Sequence, residues 1–315
     1  VWTLSAADFA ALALLAMTPK EIPEVRLDHL HAPLVSIREQ AAIVVTLLRD
    51  AGSLNFRELV AGATHPGVVV ARFLSVLEEI VADLAVLRLP LEGATPLVRG
   101  AVSRRMVAAA LPFAERFVTP MAAVAGAVAD EVLAAMTAGR ELERAYVNDG
   151  GDIAIHLTPG QSLKAGIVDD QDHPHIDADA ALTADLGVGG LATSGWRGRS
   201  LSFGIADAVT AFAANAATAD VAATLIAGAV DADDPAIERQ PANDVRDDTD
   251  LGARLVTVAV GPLAEASIVT AMNAGVNLAK DYRARGLISH AYLALQNRRR
   301  VVALNRHTHL AGARS

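Results

Sequence analysis

A short run rich in glycine and carboxylates, residues 148–152, is the first place in the chain where side chains suited to ligand binding come together. It reads Asn-Asp-Gly-Gly-Asp and stands between two apolar segments. Asp-Gly is a favoured hairpin turn, so a tight connection would explain the run without any function. A second glycine followed by an aspartate exceeds what the turn needs, because glycine also lets a ligand approach the backbone. We take four residues as candidate cofactor contacts: Asn148, Gly150, Gly151 and Asp152.

A glycine-rich run over residues 187–200 combines hydroxyl groups with two arginines. Guanidinium groups suit phosphate, and glycines free the backbone to approach it. The run has neither the Gly-Lys-Ser/Thr ending of a Walker A loop nor a Gly-x-Gly-x-x-Gly pattern at a strand-to-helix turn. A flexible surface loop with ordinary charges is the alternative. The candidate contacts to a phosphate-bearing ligand are Thr193, Ser194, Gly195, Arg197 and Arg199.

Asp220 and Thr224 stand four residues apart at the start of a predicted helix, so their side chains share one helix face. A carboxylate and a hydroxyl there suit Mg²⁺, which takes oxygen ligands and often bridges phosphates. On spacing alone a structural role is favoured, with Thr218 as the helix cap and Asp220 next to the positive end of the helix dipole. Asp207 is the candidate general base, and capping of a turn is its alternative role.

Two acidic segments have compositions that could suggest metal binding. Residues 169–175 read Asp-Asp-Gln-Asp-His-Pro-His, and residues 231–250 hold seven Asp and one Glu against two Arg. Acidic segments of this kind are more often solvated than ligating. We therefore expect a solvated loop in the first segment and an acidic connector in the second.

Composition and charge exclude several classes of function. The net charge of −9 argues against a nucleic-acid partner, because phosphate contacts need a basic face. The absence of cysteine excludes disulfides, Cys-ligated zinc, iron–sulfur clusters and thiol catalysis. The chain contains no uninterrupted apolar run long enough for a membrane span, and no basic segment of a secretory signal. We expect a cytoplasmic protein whose partner is a small-molecule nucleotide or cofactor, with a homodimer left open.

Helical and strand patterns alternate without a strict βαβ period, which predicts an α/β fold of mixed layers. The helix over 68–87 has an apolar face that includes Val81 and an opposite face with Glu79 and Asp83. Other helices are predicted from Arg104, and over 119–136 with Thr119 as N-cap, 218–230 and 262–284. Strands are predicted over 144–148, 153–157, 163–168, 203–212, 255–260 and 287–295. We expect an irregular extension over 1–66, one domain over 67–296 and a basic, frayed tail over 297–315.

Five motifs in this order resemble the UPF0280 family, an uncharacterised branch of the ApbE superfamily of FAD:protein FMN transferases. They are Thr-Pro-Met-Ala-Ala-Val-Ala-Gly-Ala-Val-Ala-Asp (119–130), Val-Asn-Asp-Gly-Gly-Asp (147–152), Ala-Thr-Ser-Gly-Trp-Arg-Gly-Arg-Ser (192–200), Gly-Ile-Ala-Asp-Ala-Val-Thr (204–210) and Ala-Asp-Val-Ala-Ala-Thr (219–224). The resemblance covers roughly residues 70–300. It implies an ApbE-like, T-fold-like architecture in which helices flank a mixed sheet.

The resemblance also implies roles for particular residues. In the transferases a Gly-Gly-Asp strand end and an Ala-Thr-Ser-Gly strand line the FAD pocket, and an Ala-Asp-Ala-x-x-Thr helix start binds the Mg²⁺ that bridges the FAD pyrophosphate. The matching positions here are 150–152, 193–195, and Asp220 with Thr224. Two transferase motifs are altered, since residues 123–126 lack the lysine and residues 199–207 lack a His-Ile-x-Asp-Pro run.

The implied function is binding of FAD, FMN or another nucleotide or phosphorylated cofactor, with Mg²⁺, in cofactor metabolism. Relatives in methanogens and methylotrophs point to tetrahydromethanopterin-linked one-carbon cofactor biosynthesis. A catalytic version would be a transferase or hydrolase acting at a phosphoanhydride, with Arg197 and Arg199 neutralising phosphate charge. The alternatives are a non-catalytic ligand-binding or assembly protein and a divergent FAD:protein FMN transferase.

Overall fold

The computed structural model describes residues 66–92, 95–170, 175–303 and 310–311. Its strands in chain order are β1 (Arg144–Asp149), β2 (Asp152–Leu157), β3 (Ser162–Ile167), β4 (Ala178–Thr183), β5 (Gly190–Ser194), β6 (Ala208–Ala213), β7 (Ile237–Pro241), β8 (Leu255–Val260), β9 (His290–Leu295), β10 (Arg298–Val302) and β11 (Leu310–Ala311). Its helices are α1 (Pro66–Leu87), α2 (Ala101–Ala110), α3 (Val124–Thr137), α4 (Ala216–Ala229), α5 (Ala242–Val245) and α6 (Glu265–Ala284).

A six-stranded sheet in the order β1-β2-β5-β6-β9-β10 forms the centre of the fold. A three-stranded sheet β11-β4-β3 and the β7-β8 pair accompany it. The predicted α/β class with mixed layers is confirmed. The strand directions differ from the expected mixed sheet, because every strand pair in the described part of the chain is antiparallel. Each connection between neighbouring strands of the central sheet therefore leaves the sheet and re-enters it at the same end.

The two faces of the central sheet bury different partners. Successive side chains of a strand point to opposite faces. Ala192, Val209 and Leu293 therefore belong to the core formed with the helices. Leu191 and Phe212, which lie an odd number of positions away from Ala192 and Val209 on the same strands, belong to a second core that includes apolar side chains of β3 and β4. The helices thus cover one face, and the three-stranded sheet covers the other.

Helix α1 is confirmed, but its faces are only partly as predicted. Val81 is 52% exposed, whereas Asp83 is 7% exposed. The Asp83 carboxylate accepts hydrogen bonds from the backbone N–H groups of Arg99 (2.9 Å) and Gly100 (2.8 Å), where α2 begins. Glu79 accepts one from Ala101 N (2.9 Å). The acidic side of α1 is thus packed against the first turn of α2, whose N–H groups need acceptors.

The predicted strand over 203–212 is wrong in its first half, since β6 begins only at Ala208. Gly204 lies so close to the end of α4 that a Cβ there would stand 2.2 Å from the Ala227 carbonyl oxygen. Ile205 N donates to the Val230 carbonyl at 2.8 Å instead of to a strand. This segment is therefore held by the helix end.

Other boundaries also shifted. The helix predicted over 119–136 starts with a 3₁₀ turn at Pro120–Ala123, and the Thr119 hydroxyl donates to Asp250 instead of capping the helix. The elements predicted from residues 262 and 287 begin at Glu265 and His290. The sequence analysis did not predict β4.

Two segments predicted to be irregular contain regular structure. The acidic segment 231–250 includes β7 and α5, and its Arg239 pairs with Asp231. The first part of the tail predicted to fray, Arg298–Val302, forms β10, which pairs with β9, and residues 304–309 and 312–315 of that tail lie outside the described residues. Gln296 (φ 42°) and Asn297 (φ 64°) make the turn between them. Two residues with positive φ match the twist of a hairpin, and this Gln-Asn turn lacks the glycine that usually signals one.

One helical stretch among the described residues, Pro120–Thr137, is long and apolar enough to cross a membrane by length and composition. It also has the properties of a core helix, because Ala127, Val132 and Leu133 are buried in α3. Its acidic residues Asp130 and Glu131 have specific partners within the fold.

Candidate functional site

The hairpin turn between β1 and β2 places two carboxylates side by side. Asp149 and Asp152 are cross-strand partners. Gly150 (φ +68°) and Gly151 (φ +114°) form the turn in conformations that favour glycine, and Gly151 N donates to Asn148 Oδ1 at 2.9 Å. Directly opposite residues project to the same face. Here it is the helix side, because Val147 and Ala154, two positions away, pack with residues of α3.

Asp220 on α4 reaches the first turn of α3. Its Oδ2 accepts a hydrogen bond from Gly126 N at 3.1 Å, and Ala125 N is a second donor. Residues 123–126, which match the altered transferase segment, therefore lie against the predicted metal ligand.

Asp130 on α3 makes the reciprocal contact with the first turn of α4. Its two carboxylate oxygens accept from Ala216 N (3.0 Å) and Ala217 N (2.9 Å). The α4 N-cap is Asn215, which accepts from Thr218 N, so the predicted cap Thr218 is the donor and not the acceptor. The two helices cross closely, because a Cβ on Gly126 would stand 2.3 Å from the Ala216 carbonyl oxygen.

Asp149, Asp152 and Asp220, hereafter the helix-side carboxylates, are half-buried and electrostatically coupled. Burial raises the pKa of Asp149 to about 6, partly offset by Arg199. Burial, then Asp220 and Asp149, raise the pKa of Asp152 well above its usual value. Burial raises the pKa of Asp220 to about 7, opposed by the Gly126 N–H and reinforced by Asp149. The protein thus gathers three carboxyl groups here with little cationic compensation, and burial disfavours their charged forms.

The end of β5 lies next to this hairpin. Thr193 N donates to Asp152 Oδ1 at 3.3 Å, and the Thr193 hydroxyl hydrogen-bonds with the Thr210 hydroxyl at 2.8 Å on the opposite sheet face. Ser194 is half-buried at the last position of β5. Gly195 allows close backbone approach, since a Cβ there would stand 2.2 Å from the Asp207 carbonyl oxygen. The predicted 193–195 group therefore lies beside the predicted 150–152 group.

The two predicted phosphate-binding arginines follow in the next loop. Arg197 Nη1 lies 3.4 Å from Asp170 Oδ1, and its guanidinium lies 4.8 Å from the centre of the Trp196 ring. Arg199 is exposed, acts electrostatically on Asp149, and accepts a hydrogen bond at its carbonyl from Arg246 Nη2 (3.0 Å). Both arginines thus already have acidic neighbours.

Asp207, the candidate base, has both oxygens engaged. Trp196 Nε1 donates to Oδ1 at 3.3 Å, and Gln296 N donates to Oδ2 at 2.6 Å. Burial raises its pKa, and the Gln296 N–H is the largest opposing influence. These contacts tie the β9–β10 turn to the loop after β5. They favour the capping of a turn, which the sequence analysis gave as the alternative role.

Comparison with known proteins places this chain in a family. A family model described as AbpE bacteria matches residues 60–301. The chain belongs to this AbpE family. That match, with the relatives described below, confirms the family resemblance drawn from the motifs.

The relatives of this AbpE-family chain include archaeal UPF0280 proteins. One from Methanopyrus kandleri is 37% identical over 147 residues, which are 47% of this chain and 56% of that protein. One from Methanothermobacter thermautotrophicus is 35% identical over 153 residues, 46% of this chain and 55% of the relative. One from Archaeoglobus fulgidus is 40% identical over 113 residues, covering 35% and 43%. The chain spans about half the length of the curated relatives it matches.

Two residues of this AbpE-family site were missed in the sequence. The sequence analysis named Asp152 as a candidate but not Asp149. A two-residue turn makes the two aspartates cross-strand partners, so the turn length already indicated that they share one face of the sheet. Asp130 lay inside the recognised 119–130 motif, but no local signal reveals that it caps α4.

Thr224 lies one helical turn after Asp220 and is half-buried. Within the described ranges, no group of three or more His, Asp or Glu side chains is arranged to hold a metal ion by itself. A cation at Asp220 and Thr224 would therefore need oxygen ligands from water or from a bound molecule.

Proposed function

We infer that this AbpE-family chain binds a nucleotide or another phosphorylated cofactor at the helix-side carboxylates, with Mg²⁺ between the carboxylates and the phosphates. The observation that carries this proposal is that Asp149, Asp152 and Asp220, from a hairpin and a helix, act on one another electrostatically while half-exposed. Perturbed carboxylates kept together without matching cations are typical of functional sites.

The capping pattern supports a metal-bridged phosphate over a phosphate bound directly by a helix end. Helix N-termini often bind anions. Here Asp220 occupies the first turn of α3, and Asp130 occupies that of α4. A phosphate arriving without a cation would meet carboxylates at both helix ends, so we expect its binding to require Mg²⁺.

The donor set fits Mg²⁺ held jointly by protein and ligand. Mg²⁺ usually takes one or two protein carboxylates and completes its shell with water and substrate phosphates. Asp220 and Thr224 would supply protein oxygens, and Arg199 would face charge on the ligand. A bound Mg²⁺ would neutralise phosphate charge and polarise a phosphoanhydride. FAD, FMN and other nucleotides, including those of tetrahydromethanopterin-linked one-carbon metabolism, are the candidate ligands.

A second candidate function is non-catalytic ligand binding or assembly. The hydrogen bonds from Trp196 and Gln296 to Asp207 favour it, because they stabilise the charged carboxylate, which lowers its basicity, and they tie the side chain into the fold. The first candidate requires another group to move the proton, and Asp149, with its pKa near 6, is in the range suited to that task.

Titration calorimetry with FAD, and separately with ADP, in MgCl₂ and in EDTA tests the proposal. We expect binding only with Mg²⁺, and Asp220→Asn should weaken it at least about tenfold, which corresponds to about 1.4 kcal/mol. The isosteric amide can still accept from Gly126 N, so the fold should survive. Asp244→Asn, an exposed change on α5, is the matched control. Equal binding with EDTA, or no effect of Asp220→Asn, would contradict the metal assignment.

Turnover separates the two candidates. Protein incubated with FAD, Mg²⁺ and an acceptor protein is analysed for covalent FMN on the acceptor and for free AMP and FMN. Release of AMP indicates cleavage at the phosphoanhydride, and covalent FMN indicates a divergent FMN transferase. Mg²⁺-dependent binding without either product supports the non-catalytic candidate.

A further inference from the structure

Arg197 lies in the loop after β5, two residues beyond Gly195, in a defined arrangement. Its guanidinium lies 4.8 Å from the centre of the Trp196 ring, and its Nη1 lies 3.4 Å from Asp170 Oδ1. Trp196 is itself fixed, because its Nε1 donates to Asp207 at 3.3 Å and its N donates to Ala206 O at 2.9 Å. The ring therefore offers the guanidinium a stable platform, and Asp170 supplies the opposing charge.

The backbone beside Asp170 is held by a network that joins the two sheets. Asp169 accepts from the Tyr292 hydroxyl (2.8 and 3.0 Å) and from Arg299 Nε (2.7 Å). Asp169 N donates to Asp177 Oδ2 at 2.9 Å, and Arg299 also pairs with Asp177. We call Asp169, Asp177, Tyr292 and Arg299 the inter-sheet network. Because its neighbour is anchored, Asp170 is presented toward Arg197 at little entropic cost.

A phosphate oxygen and a carboxylate oxygen compete for the same guanidinium. Both are anionic acceptors that fit its planar set of N–H donors. The side chains of Arg197 and Asp170 are 34% and 30% exposed, so a ligand can reach the pair from solvent. An ion pair this exposed is weak and can be exchanged.

We propose that Asp170 is an internal competitor for Arg197, and that a phosphate group of the ligand must displace its carboxylate in order to bind this guanidinium. This inference rests on the proposed function. By this inference, the β3–β4 connection of the three-stranded sheet makes an autoinhibitory contact with a site on the six-stranded sheet. The affinity for the ligand is therefore lower than it would be if Asp170 did not bind Arg197. The difference in binding free energy equals the strength of the Arg197–Asp170 ion pair.

The test is titration of inorganic pyrophosphate in MgCl₂ against four proteins: the unchanged chain, Asp170→Asn, Arg197→Gln and the double variant. Asp170→Asn should tighten binding about two- to fivefold, the size expected for a partly exposed ion pair. In the Arg197→Gln background the same change should have no effect. Asp185→Asn is the matched control, since it removes the same charge from an exposed position after β4, at the other end of the β3–β4 pair.

The outcomes distinguish this inference from the proposed function. Pyrophosphate binding that Asp170→Asn leaves unchanged, or tightens equally with and without Arg197, overturns the inference and leaves the proposed function standing. Absence of binding to all four proteins overturns both. Binding seen only after Asp170→Asn supports the inference, with the contact stronger than expected. Thermal unfolding of each variant verifies that the fold is intact.

Discussion

The helix-side carboxylates and the inter-sheet network are two acidic regions that the protein treats in opposite ways. In the inter-sheet network, Asp169 and Asp177 share Arg299, and Tyr292 adds a hydroxyl donor. Among the helix-side carboxylates, Asp152 and Asp220 accept hydrogen bonds from backbone N–H groups, and Arg199 acts on Asp149 as a cation. In the first region a guanidinium contacts both carboxylates directly, whereas in the second the carboxylates of Asp152 and Asp220 are held by backbone N–H groups.

This difference indicates which region has a structural role and which one awaits a ligand. A network of directly paired charges at the junction of two sheets gains its energy within the fold. Like charges held together lower the free energy of unfolding, and such a cost persists in proteins mainly where function needs it. Removing charge, contact or volume from one region at a time tests this contrast.

The largest effect is expected from Arg299→Ala in the inter-sheet network. Asp177, whose side chain is 2% exposed, would lose its guanidinium partner. A buried carboxylate that loses its guanidinium partner should lower the free energy of unfolding by about 3 kcal/mol. Urea denaturation at pH 7 measures this. Arg300→Ala, the exposed next residue on β10, should change stability by less than about 0.5 kcal/mol. Similar losses for both variants would show that the network is not structural.

The next effect concerns the helix crossing that supports the helix-side carboxylates. Gly126→Ala would force a methyl group to within 2.3 Å of the Ala216 carbonyl oxygen, so α3 and α4 must separate. We expect a loss of about 2 kcal/mol, together with loss of the Asp220 contact to α3. Gly228→Ala is the control within α4, because its nearest neighbour would be Phe203 Cβ at 3.8 Å. That variant should be neutral or more stable, since alanine favours the helix. Two equally stable variants would refute the close crossing.

Local patterns were enough to predict the parts of the fold that depend on neighbours in sequence. The β1–β2 hairpin follows from Asp-Gly-Gly between apolar runs, and α4 from its polar start before an Ala-rich segment. The β9–β10 hairpin was missed because Gln296 and Asn297 adopt positive φ without a glycine. The strand predicted from 203 was shortened by Gly204 contacting α4, which is a long-range packing effect.

The residues of the candidate site likewise fall into those that local patterns reveal and those that depend on long-range packing. Asp152, Thr193 and Asp220 could be found from short motifs, and the fold brings the elements that carry them together. The role of Asp130 depends on how two helices cross, and the engagement of Asp207 depends on the β9–β10 turn. Neither arrangement follows from spacing along the chain, because each joins residues more than 80 positions apart.

A stabilising substitution is expected among the helix-side carboxylates. The pKa of Asp149 is raised to about 6, so the folded protein retains this proton at a pH where the unfolded chain has lost it. Stability therefore falls as the pH rises through the interval up to about 6, and the penalty is constant above it. Asp149→Asn removes the ionisation and should raise the free energy of unfolding by about 1–2 kcal/mol at pH 8, with only about a third of that gain near pH 4.5.

Urea denaturation of Asp149→Asn at the two pH values measures this gain. The exposed Asp244→Asn serves as the control for the change in net charge. A loss of stability at pH 8 would mean that Asp149 is compensated like the aspartates of the inter-sheet network, and the contrast between the regions would disappear.

The smallest effect should come from Tyr292→Phe, which removes one donor from the inter-sheet network and leaves its charges in place. The hydroxyl donates to both oxygens of Asp169, while Arg299 Nε remains 2.7 Å from Oδ2. The buried ring keeps its packing, so we expect a loss of about 1 kcal/mol, as for one hydrogen bond. The double variant Tyr292→Phe with Arg299→Ala should lose more than the sum of the two single changes, because Asp169 would then lack both donors. Strict additivity would show that the two contacts act independently, and that the region is a set of separate pairs and not a connected network.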